Sequence, residues 1–365
     1  MNSDINTQTP PDTSLAPCAS TCTQKHAVRF PAEWEPQDGI LLAWPCPGSD
    51  WEPILPEIEE TLVEIIRHII RFENVIIVAP ELQRTASILE KHGLDSDSIR
   101  LVEIDNNDTW ARDFGPIGVE INAKLHLLDF GFNGWGLKFA ADLDNQINKN
   151  LEAAGAWKVP LLTQGIILEG GSIESDGRGT LLTTTECLMS PNRNPHLDKP
   201  TLERHLKNTL GVAQILWLNH GALAGDDTDG HIDTLARLCP NDTIAYVRCD
   251  DPTDEHFETM QAMEQELKQF KTLQGHSYNL IALPWPQPVF DHEQQRLPAT
   301  YANFLVINDA VLVPTYADPA DAEALRIIGS AFPGREIIGI DCSSVILQHG
   351  SLHCLTMQLP EGTLA

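Results

Sequence analysis

The chain has 365 residues, of which 42% are hydrophobic, and a net charge of −28 from 24 basic and 52 acidic residues. This charge argues against binding to nucleic acid or to anionic membranes, because both require a basic surface, and it favours cationic ligands. No apolar run approaches the roughly 20 residues that span a bilayer, so the sequence also predicts a protein without a membrane segment.

The first 28 residues are rich in Thr, Ser, Pro and Gln, and they lack the basic start and apolar stretch of a secretory signal. We expect a disordered tail over residues 1–28, a single folded catalytic domain over residues 29–365, and a cytoplasmic protein with reduced cysteines. Cys18, Cys22 and His26 have the spacing of half a zinc site. Structural zinc sites normally combine two such clusters, and a tail of this composition disfavours a packed site.

Helix and strand patterns alternate along the rest of the chain. Apolar residues recur at helical spacing over residues 54–72, and a strand pattern follows at 74–78. A second helix is predicted over residues 82–92, where Gly93 provides the C-terminal cap, before a strand at 99–104. Further helical patterns cover residues 142–154, 201–210, 254–270 and 318–331.

Four segments have the β-branched strands and the Asn, Asp or Gly turns of β-hairpins: residues 115–128, 172–184, 233–247 and 301–314. A polar or reactive side chain stands at the start of each: Asp113, Glu169, His231 with Asp233, and Tyr301 with Asn303. A fifth strand-like segment contains Cys354. Intervals of about 60 residues are typical of a radial array of α/β units, in which equivalent strand positions converge on the central axis. The alternative is an ordinary mixed sheet with accidental spacing.

The residues that would converge have complementary chemistry, because a thiolate attacks, an imidazole moves protons and carboxylates hold a cation. Residues i and i+2 of a strand share a face, so His231 and Asp233 are expected to project together. Adjacent side chains face opposite ways, which makes His353 a poor base for Cys354 and His231 the better one. The other body cysteines that we considered fit inert core positions: Cys187, Cys239, Cys249 and Cys342.

The acidic run before Asp233 supports an alternative of another class. Asp226, Asp227 and Asp229 precede His231, and an Asp and His cluster of this density can bind a divalent metal. The alternative is therefore a metal-dependent hydrolase that uses the Asp226 to Asp233 cluster. No His-x-x-x-His pair accompanies the cluster, which argues against a metal there. Covalent chemistry by a thiol, an imidazole and carboxylates needs neither a metal nor an organic cofactor.

From about residue 30 to residue 360 the chain resembles the agmatine deiminase family, which includes the bacterial type of peptidylarginine deiminase. Six segments carry the resemblance in order: residues 31–36 (PAEWEP), 110–116 (WARDFGP), 168–173 (LEGGSI), 191–195 (PNRNP), 230–233 (GHID) and 352–356 (LHCLT). The resemblance implies a five-bladed α/β propeller with pseudo-fivefold symmetry, and a homodimer. The chain departs from the family pattern at Phe114, where Thr is usual, and in residues 234–237 and 348–352.

The resemblance also implies a role for each matched residue: Cys354 as nucleophile, His231 as general acid and base, Asp113 and Asp233 as the grip on the guanidinium, Glu169 as a third acid, and Trp110 in the substrate channel. The implied reaction is hydrolysis of agmatine to N-carbamoylputrescine and ammonia through an amidino-cysteine intermediate.

Several alternatives stay open. One is a peptidylarginine deiminase or a deiminase of another guanidine, and a free α-carboxylate would then need a basic partner such as Arg112, Arg193 or Arg237. Amidino transfer to an amine is another possibility. A binding module that has lost catalysis is the third, although such a module has no need of a nucleophile.

Overall fold

The computed structural model describes residues 27–365. Cys18, Cys22, His26 and nearly all of the predicted tail lie outside the described residues. Val28, which the sequence assigned to the tail, pairs with Ile121 in a β-ladder. Within residues 27–365, no helix is both long enough and apolar enough to cross a membrane.

The strands of this part of the chain are β1 (Val28–Arg29), β2 (Gln37–Ala43), β3 (Asn74–Ala79), β4 (Ile99–Glu103), β5 (Ile117–Ile121), β6 (Lys124–Gly131), β7 (Leu161–Ile167), β8 (Ile173–Ser175), β9 (Thr180–Thr184), β10 (Gln214–Leu218), β11 (Ala236–Cys239), β12 (Thr243–Val247), β13 (Asn279–Leu283), β14 (Val289–Phe290), β15 (Arg296–Leu297), β16 (Leu305–Ile307), β17 (Ala310–Thr315), β18 (Glu336–Asp341) and β19 (Thr356–Pro360). The helices are α1 (Leu55–Ile69), α2 (Leu82–Lys91), α3 (Ala111–Phe114), α4 (Gly134–Leu137), α5 (Ile147–Ala153), α6 (Thr185–Leu188), α7 (Lys199–Leu210), α8 (Phe257–Leu267) and α9 (Asp321–Ala331).

All six helices predicted from the sequence are present, as α1, α2, α5, α7, α8 and α9. Local signals explain α7: the Asp198 side chain accepts a hydrogen bond from the Thr201 amide, Pro200 lies in the first turn, and Gly211 follows the helix with φ of 70°. In α1, the apolar residues at helical spacing are fully buried, as in Ile58, Leu62 and Ile65. Five of the predicted ranges extend beyond the observed helix, where the flanking residues form turns or a 3₁₀ helix, whereas α7 begins two residues before its predicted start.

Five sheets repeat one pattern, in which an antiparallel strand pair is followed by a helix and by a third strand parallel to the second. They are β5–β6–β7, β8–β9–β10, β11–β12–β13, β16–β17–β18 and β19–β2–β3. Strands β1 and β4 extend two of these sheets. The result is a mixed α/β fold. The four predicted hairpins are confirmed, and the fifth unit differs because β19 pairs with β2 near the other end of the described chain.

The reactive residues lie in turns that precede the first strand of their units. Asp113 is in α3, before β5, and Asp233 is in a 3₁₀ turn, Ile232–Thr234, before β11. Cys354 is in a turn before β19. The sequence placed Cys354 and the pair His231 and Asp233 on strands, and this placement is wrong. A turn does not alternate its side chains between two faces, so the strand-parity arguments do not apply to these residues.

Candidate active site

A cavity of about 160 Å³ lies beside Cys354. Its wall includes three aromatic residues, Trp110, Trp135 and Phe139. Five further lining residues are acidic: Asp50, Asp108, Asp113, Asp226 and Asp227. Among residues 27–365, no lysine or arginine lines this cavity. The cavity therefore combines apolar walls with negative charge, which suits an aliphatic cation.

The Cys354 thiol is buried beside Asp233 and Asn303. Its Sγ lies 3.8 Å from Asp233 Oδ2, and Asn303 Nδ2 donates to Sγ at 3.3 Å. Asn303 Oδ1 also accepts from the backbone amide of His353 at 2.9 Å, which fixes the turn that carries the thiol. Burial, reinforced by Asp233 and Asp113, raises the pKa of Cys354 well above 9. The thiol is therefore protonated until positive charge arrives nearby.

Asp233 has two different oxygens. Oδ2 accepts a hydrogen bond from Nδ1 of His353 at 2.8 Å. Oδ1 is buried and has no hydrogen-bond partner among the described residues. Burial raises the pKa of Asp233, but the hydrogen bond from His353 and the charges of His353, His231 and Arg237 together outweigh burial and lower the pKa below its ordinary value. The result is an ionised carboxylate with an unsatisfied acceptor next to Cys354.

His231 is fully buried, and neither ring nitrogen has a hydrogen-bond partner in the described chain. Nδ1 lies 3.5 Å from Asp113 Oδ1, and Nε2 lies 3.6 Å from Glu169 Oε2. Burial lowers the pKa of His231, but the charge of Asp113 and the contact with Glu169 raise it well above 6.5. His231 is therefore a protonated acid before the reaction starts.

Asp113 is held by two donors. Its Oδ1 accepts from the amide of Gly171 at 3.1 Å, and its Oδ2 accepts from Nε1 of Trp135 at 2.8 Å. Burial raises the pKa of Asp113 to about 6, with His231 opposing the increase and Asp233 adding to it. This carboxylate costs free energy when ionised, and a bound cation offsets that cost.

Trp135 reaches Asp113 from a left-handed turn. Residues 134–137 (α4) have φ values of 66°, 53°, 82° and 69°, a conformation that is costly for Trp135 and Leu137 because they carry a Cβ atom. The Trp135 ring packs edge-on against the Phe132 ring, with ring centroids 5.0 Å apart. The Phe132 ring in turn packs against Phe114, with centroids 6.0 Å apart. Phe114, which departs from the family pattern, thus supports the residue that orients Asp113.

Glu169 is oriented from behind by Arg193. Nε of Arg193 lies 2.9 and 2.7 Å from the two oxygens of Glu169, and its Nη1 donates to Asp229 at 2.6 Å. Burial raises the pKa of Glu169, but His231 and Arg193 lower it below its ordinary value. Cys187, predicted as a core cysteine, is buried and donates to Glu169 at 3.7 Å.

Gly171 lies between three of the reactive side chains. A Cβ atom at this position would be 2.6 Å from His231 Nδ1, 2.9 Å from Asp113 Oδ1 and 3.2 Å from Asp233 Oδ2. These distances show that His231, Asp113 and Asp233 surround one small volume. A side chain at residue 171 cannot fit without moving them.

The Asp226 to Asp233 cluster does not form a metal site. Asp226 accepts from the amides of Thr228 and Gly230, and Asp229 is paired with Lys138 and Arg193. Within residues 27–365, two groups have metal-ligand spacing, and neither contains Asp226, Asp227 or Asp229. They are Glu169 with Cys187 and His231, and Glu33 with Glu174 and His353. Arginine side chains already pair with Glu169, Glu33 and Glu174.

The structure brings the predicted residues together in two groups that meet around Gly171: Cys354 with Asp233, and His231 with Asp113 and Glu169. Trp110 lines the cavity and packs on Trp51, with ring centroids 5.6 Å apart. The three arginines that could pair with a substrate carboxylate do not line the cavity, because they pair with buried or half-buried acids: Arg112, Arg193 and Arg237.

Sequence reasoning missed or left without a role several residues that the structure places here: Trp135, Gly171, Arg193, Asn303 and His353. The position of Asn303 at the start of a hairpin was a usable signal. No comparable signal identified Trp135. Tyr301, predicted beside Asn303, instead donates to Asp321 at 2.7 Å.

Comparison with known proteins is consistent with this geometry. Residues 29–360 match the family model of the Porphyromonas-type peptidyl-arginine deiminases. The crystal structure of a candidate peptidyl-arginine deiminase is 48% identical, with a TM-score of 0.89 over 92% of this chain and 99% of that one. The agmatine deiminase of C. jejuni, solved as a cysteine-to-serine variant with substrate bound, is 40% identical, with a TM-score of 0.86 over 93% and 98% of the two chains.

The agmatine deiminase of Pseudomonas putida strain F1 is 34% identical over 357 residues, which are 91% of this chain and 95% of that protein. A match of this extent, with the family model covering nearly all of the described residues, establishes the family. This chain is a member of the Porphyromonas-type peptidyl-arginine deiminase family, and it also matches agmatine deiminases over more than nine-tenths of its length.

Proposed function

We propose that this protein is an agmatine deiminase, which hydrolyses the guanidinium group of agmatine to N-carbamoylputrescine and ammonia. The observation that carries the proposal is the buried thiol of Cys354 at a cavity that Asp113 also lines, with the Asp233 carboxylate 3.8 Å from the thiol. The similarity to agmatine deiminases of C. jejuni and Pseudomonas putida supports the same substrate.

Asp113 and Asp233 bind the guanidinium in this proposal. A guanidinium is planar and presents fixed N–H donors, which match carboxylate oxygens. Asp233 Oδ1 is buried without a partner in the described chain, so it is ready to accept such a bond. Binding brings a positive charge beside Cys354, which lowers the thiol pKa that burial had raised. Substrate thus activates its own nucleophile.

In the first half of the reaction the Cys354 thiol releases its proton to water as the cation binds, and Sγ forms a bond to the guanidinium carbon. The ammonia that later leaves takes up a proton from water as ammonium. The tetrahedral adduct collapses when one C–N bond breaks, and His231 gives its proton to the departing ammonia. Glu169 and Asp113 flank the two ring nitrogens and stabilise the protonated form that this step requires. The product of this half is an amidino-cysteine intermediate.

The second half uses water. His231, now neutral, removes a proton from the water, which attacks the amidino carbon. The C–S bond breaks, the hydroxyl of the tetrahedral adduct gives its proton to Cys354, and the ureido product leaves. The chain's own residues supply every group in this cycle, and the proposal includes no metal or organic cofactor.

The lining of the cavity supports agmatine over free arginine. Trp110, Trp135 and Phe139 offer apolar contacts for an aliphatic chain. The acidic residues around them suit a terminal ammonium, whereas the α-carboxylate of arginine would meet no lysine or arginine on the lining within the described chain. Trp110 therefore has the role of a substrate-channel residue.

We further propose that the five repeated units are blades of a single propeller with pseudo-fivefold symmetry, so that residues 29–365 form one catalytic domain. The common strand pattern of the units supports this arrangement. We also propose a homodimer and a cytoplasmic location. A reducing compartment would keep the Cys354 thiol available for catalysis.

Ammonia release from purified protein tests the substrate assignment. Agmatine, free arginine and a blocked arginyl peptide are compared at equal concentration, with and without EDTA. We expect turnover of agmatine alone, with no effect of EDTA and complete loss after thiol alkylation. Activity only on the peptide would contradict the substrate assignment and keep the chemistry, and loss of activity with EDTA would favour a metal-dependent hydrolase.

A further inference from the structure

We infer that His353 is a positioning residue, which holds the Asp233 carboxylate so that one oxygen faces Cys354 and the other receives the substrate guanidinium. The inference rests on the proposed function for the identity of the substrate. The alternation of side chains along a strand had predicted that His353 faces away from Cys354, and it gave His353 no function. His353 contacts three charged neighbours: Asp233, Arg237 and Glu33.

The His353 ring bridges the active site and a buried ion network. Nδ1 lies 2.8 Å from Asp233 Oδ2. On the other side, Nε2 lies 3.0 Å from Nη2 of Arg237 and 2.8 Å from Oε1 of Glu33. The ring is only 1% exposed, so water does not compete for these contacts.

These neighbours determine which nitrogen carries the proton. Asp233 is ionised and has no proton to give, so Nδ1 must donate. In the neutral ring, Nε2 then accepts from Arg237, which is always a donor. In the cationic ring, Nε2 donates to Glu33. Both states place a proton on Nδ1, because Arg237 can donate to a bare Nε2, whereas the Asp233 carboxylate cannot donate to a bare Nδ1.

Burial, together with Arg112 and Arg237, lowers the pKa of His353, so the neutral ring with a proton on Nδ1 predominates. Arg237 is itself fixed by Glu174 and by the backbone carbonyl of Ala302, which accepts at 3.0 Å. The network therefore sets the tautomer of His353 from behind.

The hydrogen bond from His353 gives the two oxygens of Asp233 different functions. Oδ2 is occupied by His353 and remains 3.8 Å from Cys354 Sγ, while Oδ1 is left without a partner in the described chain. Loss of the Nδ1 donor would raise the pKa of Asp233 and free the carboxylate to rotate. The site would then lose its hold on a cation beside the thiol.

The backbone ties this arrangement to the nucleophile. His353 immediately precedes Cys354, and Asn303 Oδ1 accepts from the amides of both residues, at 2.9 and 3.3 Å. The turn thus fixes the thiol and the residue that orients its acidic neighbour as one unit.

The test compares two thiol alkylating reagents of the same shape. 2-Chloroacetamidine is a cation that resembles half of a guanidinium, and 2-chloroacetamide is its neutral counterpart. With either reagent, Cys354 Sγ forms a bond to the methylene carbon, the C–Cl bond breaks and chloride leaves. The ratio of the two alkylation rates measures how well the site holds a cation beside the thiol, without any turnover of substrate.

Three variants separate positioning from packing: His353→Asn, His353→Gln and His353→Leu. The Asn amide can donate from near the Nδ1 position, whereas Gln reaches the Nε2 position and Leu donates nothing. A hydrogen bond to a charged group contributes enough that we expect the amidine preference to fall about 10- to 100-fold in His353→Leu and His353→Gln. His353→Asn should retain most of the preference, and kcat/KM for agmatine should follow the same order.

The inference is overturned if His353→Leu keeps the amidine preference, or if His353→Asn loses it as fully as His353→Gln does. If His353→Leu fails to fold in a thermal unfolding assay, the comparison of Asn with Gln decides alone. A wild-type protein that prefers the amidine but does not hydrolyse agmatine would refute the proposed function and leave the positioning function of His353 intact.

Discussion

Substitution of Gly171 by Ala tests the geometry of the site with a single methyl group. Gly171 lies in a 3₁₀ turn, Gly170–Ser172, and its φ is outside the left-handed range, so an alanine backbone is unstrained there. The added Cβ would lie 2.6 Å from His231 Nδ1 and 2.9 Å from Asp113 Oδ1. The fold should therefore survive while the reactive groups are displaced.

The size of the displacement follows from these distances. Real Cβ atoms essentially never approach another heavy atom closer than 3.0 Å, so the His231 ring must retreat by about 0.4 Å to reach that limit and by about 0.8 Å for an ordinary contact. A misplacement of about 1 Å in an active site can cost about 100-fold in rate. We expect kcat/KM for agmatine to fall by about 100-fold.

The matched control is Gly165→Ala, where a Cβ atom would have no neighbour within 4 Å. Ammonia release and thermal unfolding are measured for both variants. Gly165→Ala should match the wild type in both assays, and Gly171→Ala should keep its fold. Wild-type kcat/KM in Gly171→Ala would refute the conclusion that His231, Asp113 and Asp233 enclose the reacting group.

Three further predictions follow from the charges and contacts. Cys354→Ala should abolish ammonia release but retain agmatine binding by calorimetry, and full activity would exclude the thiol mechanism. Asp113→Asn should abolish activity yet stabilise the fold by about 1–3 kcal/mol at pH 8, because burial raises the pKa of this carboxyl from 3.8 to about 6 and its ionised form is disfavoured. That gain should vanish near pH 4, where the carboxyl is largely protonated in the folded state, and equal gains at both pH values would contradict the assignment. Arg193→Lys should lower kcat at least tenfold, because lysine cannot reproduce the contact with Glu169. The exposed control Arg326→Lys should retain wild-type kcat. Equal losses of kcat in the two variants would contradict the role of Arg193.

The repeated fold was accessible from the sequence because its signals are local. Turn residues between β-branched runs identified the hairpins, and apolar residues at helical spacing together with capping glycines identified the helices. The fifth unit was not accessible in this way, since β19 pairs with β2 across nearly the whole described chain. Pairing between distant segments depends on tertiary packing and leaves no turn signature.

The site could be predicted only in part, because some of its contacts depend on tertiary packing and leave no local sequence signal. Cys354, His231 and the acids stand at equivalent points of the repeat, so their convergence could be predicted. The turns that carry them break the alternation of a strand, so strand parity did not reveal that His353 contacts Asp233. Trp135 reaches Asp113 from a left-handed turn, and no pattern of residue types specifies that conformation.

The proposed mechanism requires that the guanidinium carbon becomes bonded to Cys354 during turnover. Protein mixed with saturating agmatine is quenched in acid at increasing times, and the peptide that carries Cys354 is weighed by mass spectrometry. We expect an amidino adduct on Cys354 that rises before ammonia release reaches steady state and disappears when agmatine is exhausted. Steady turnover by an enzyme whose Cys354 stays unmodified at every time, together with undiminished turnover by Cys354→Ala, would contradict it.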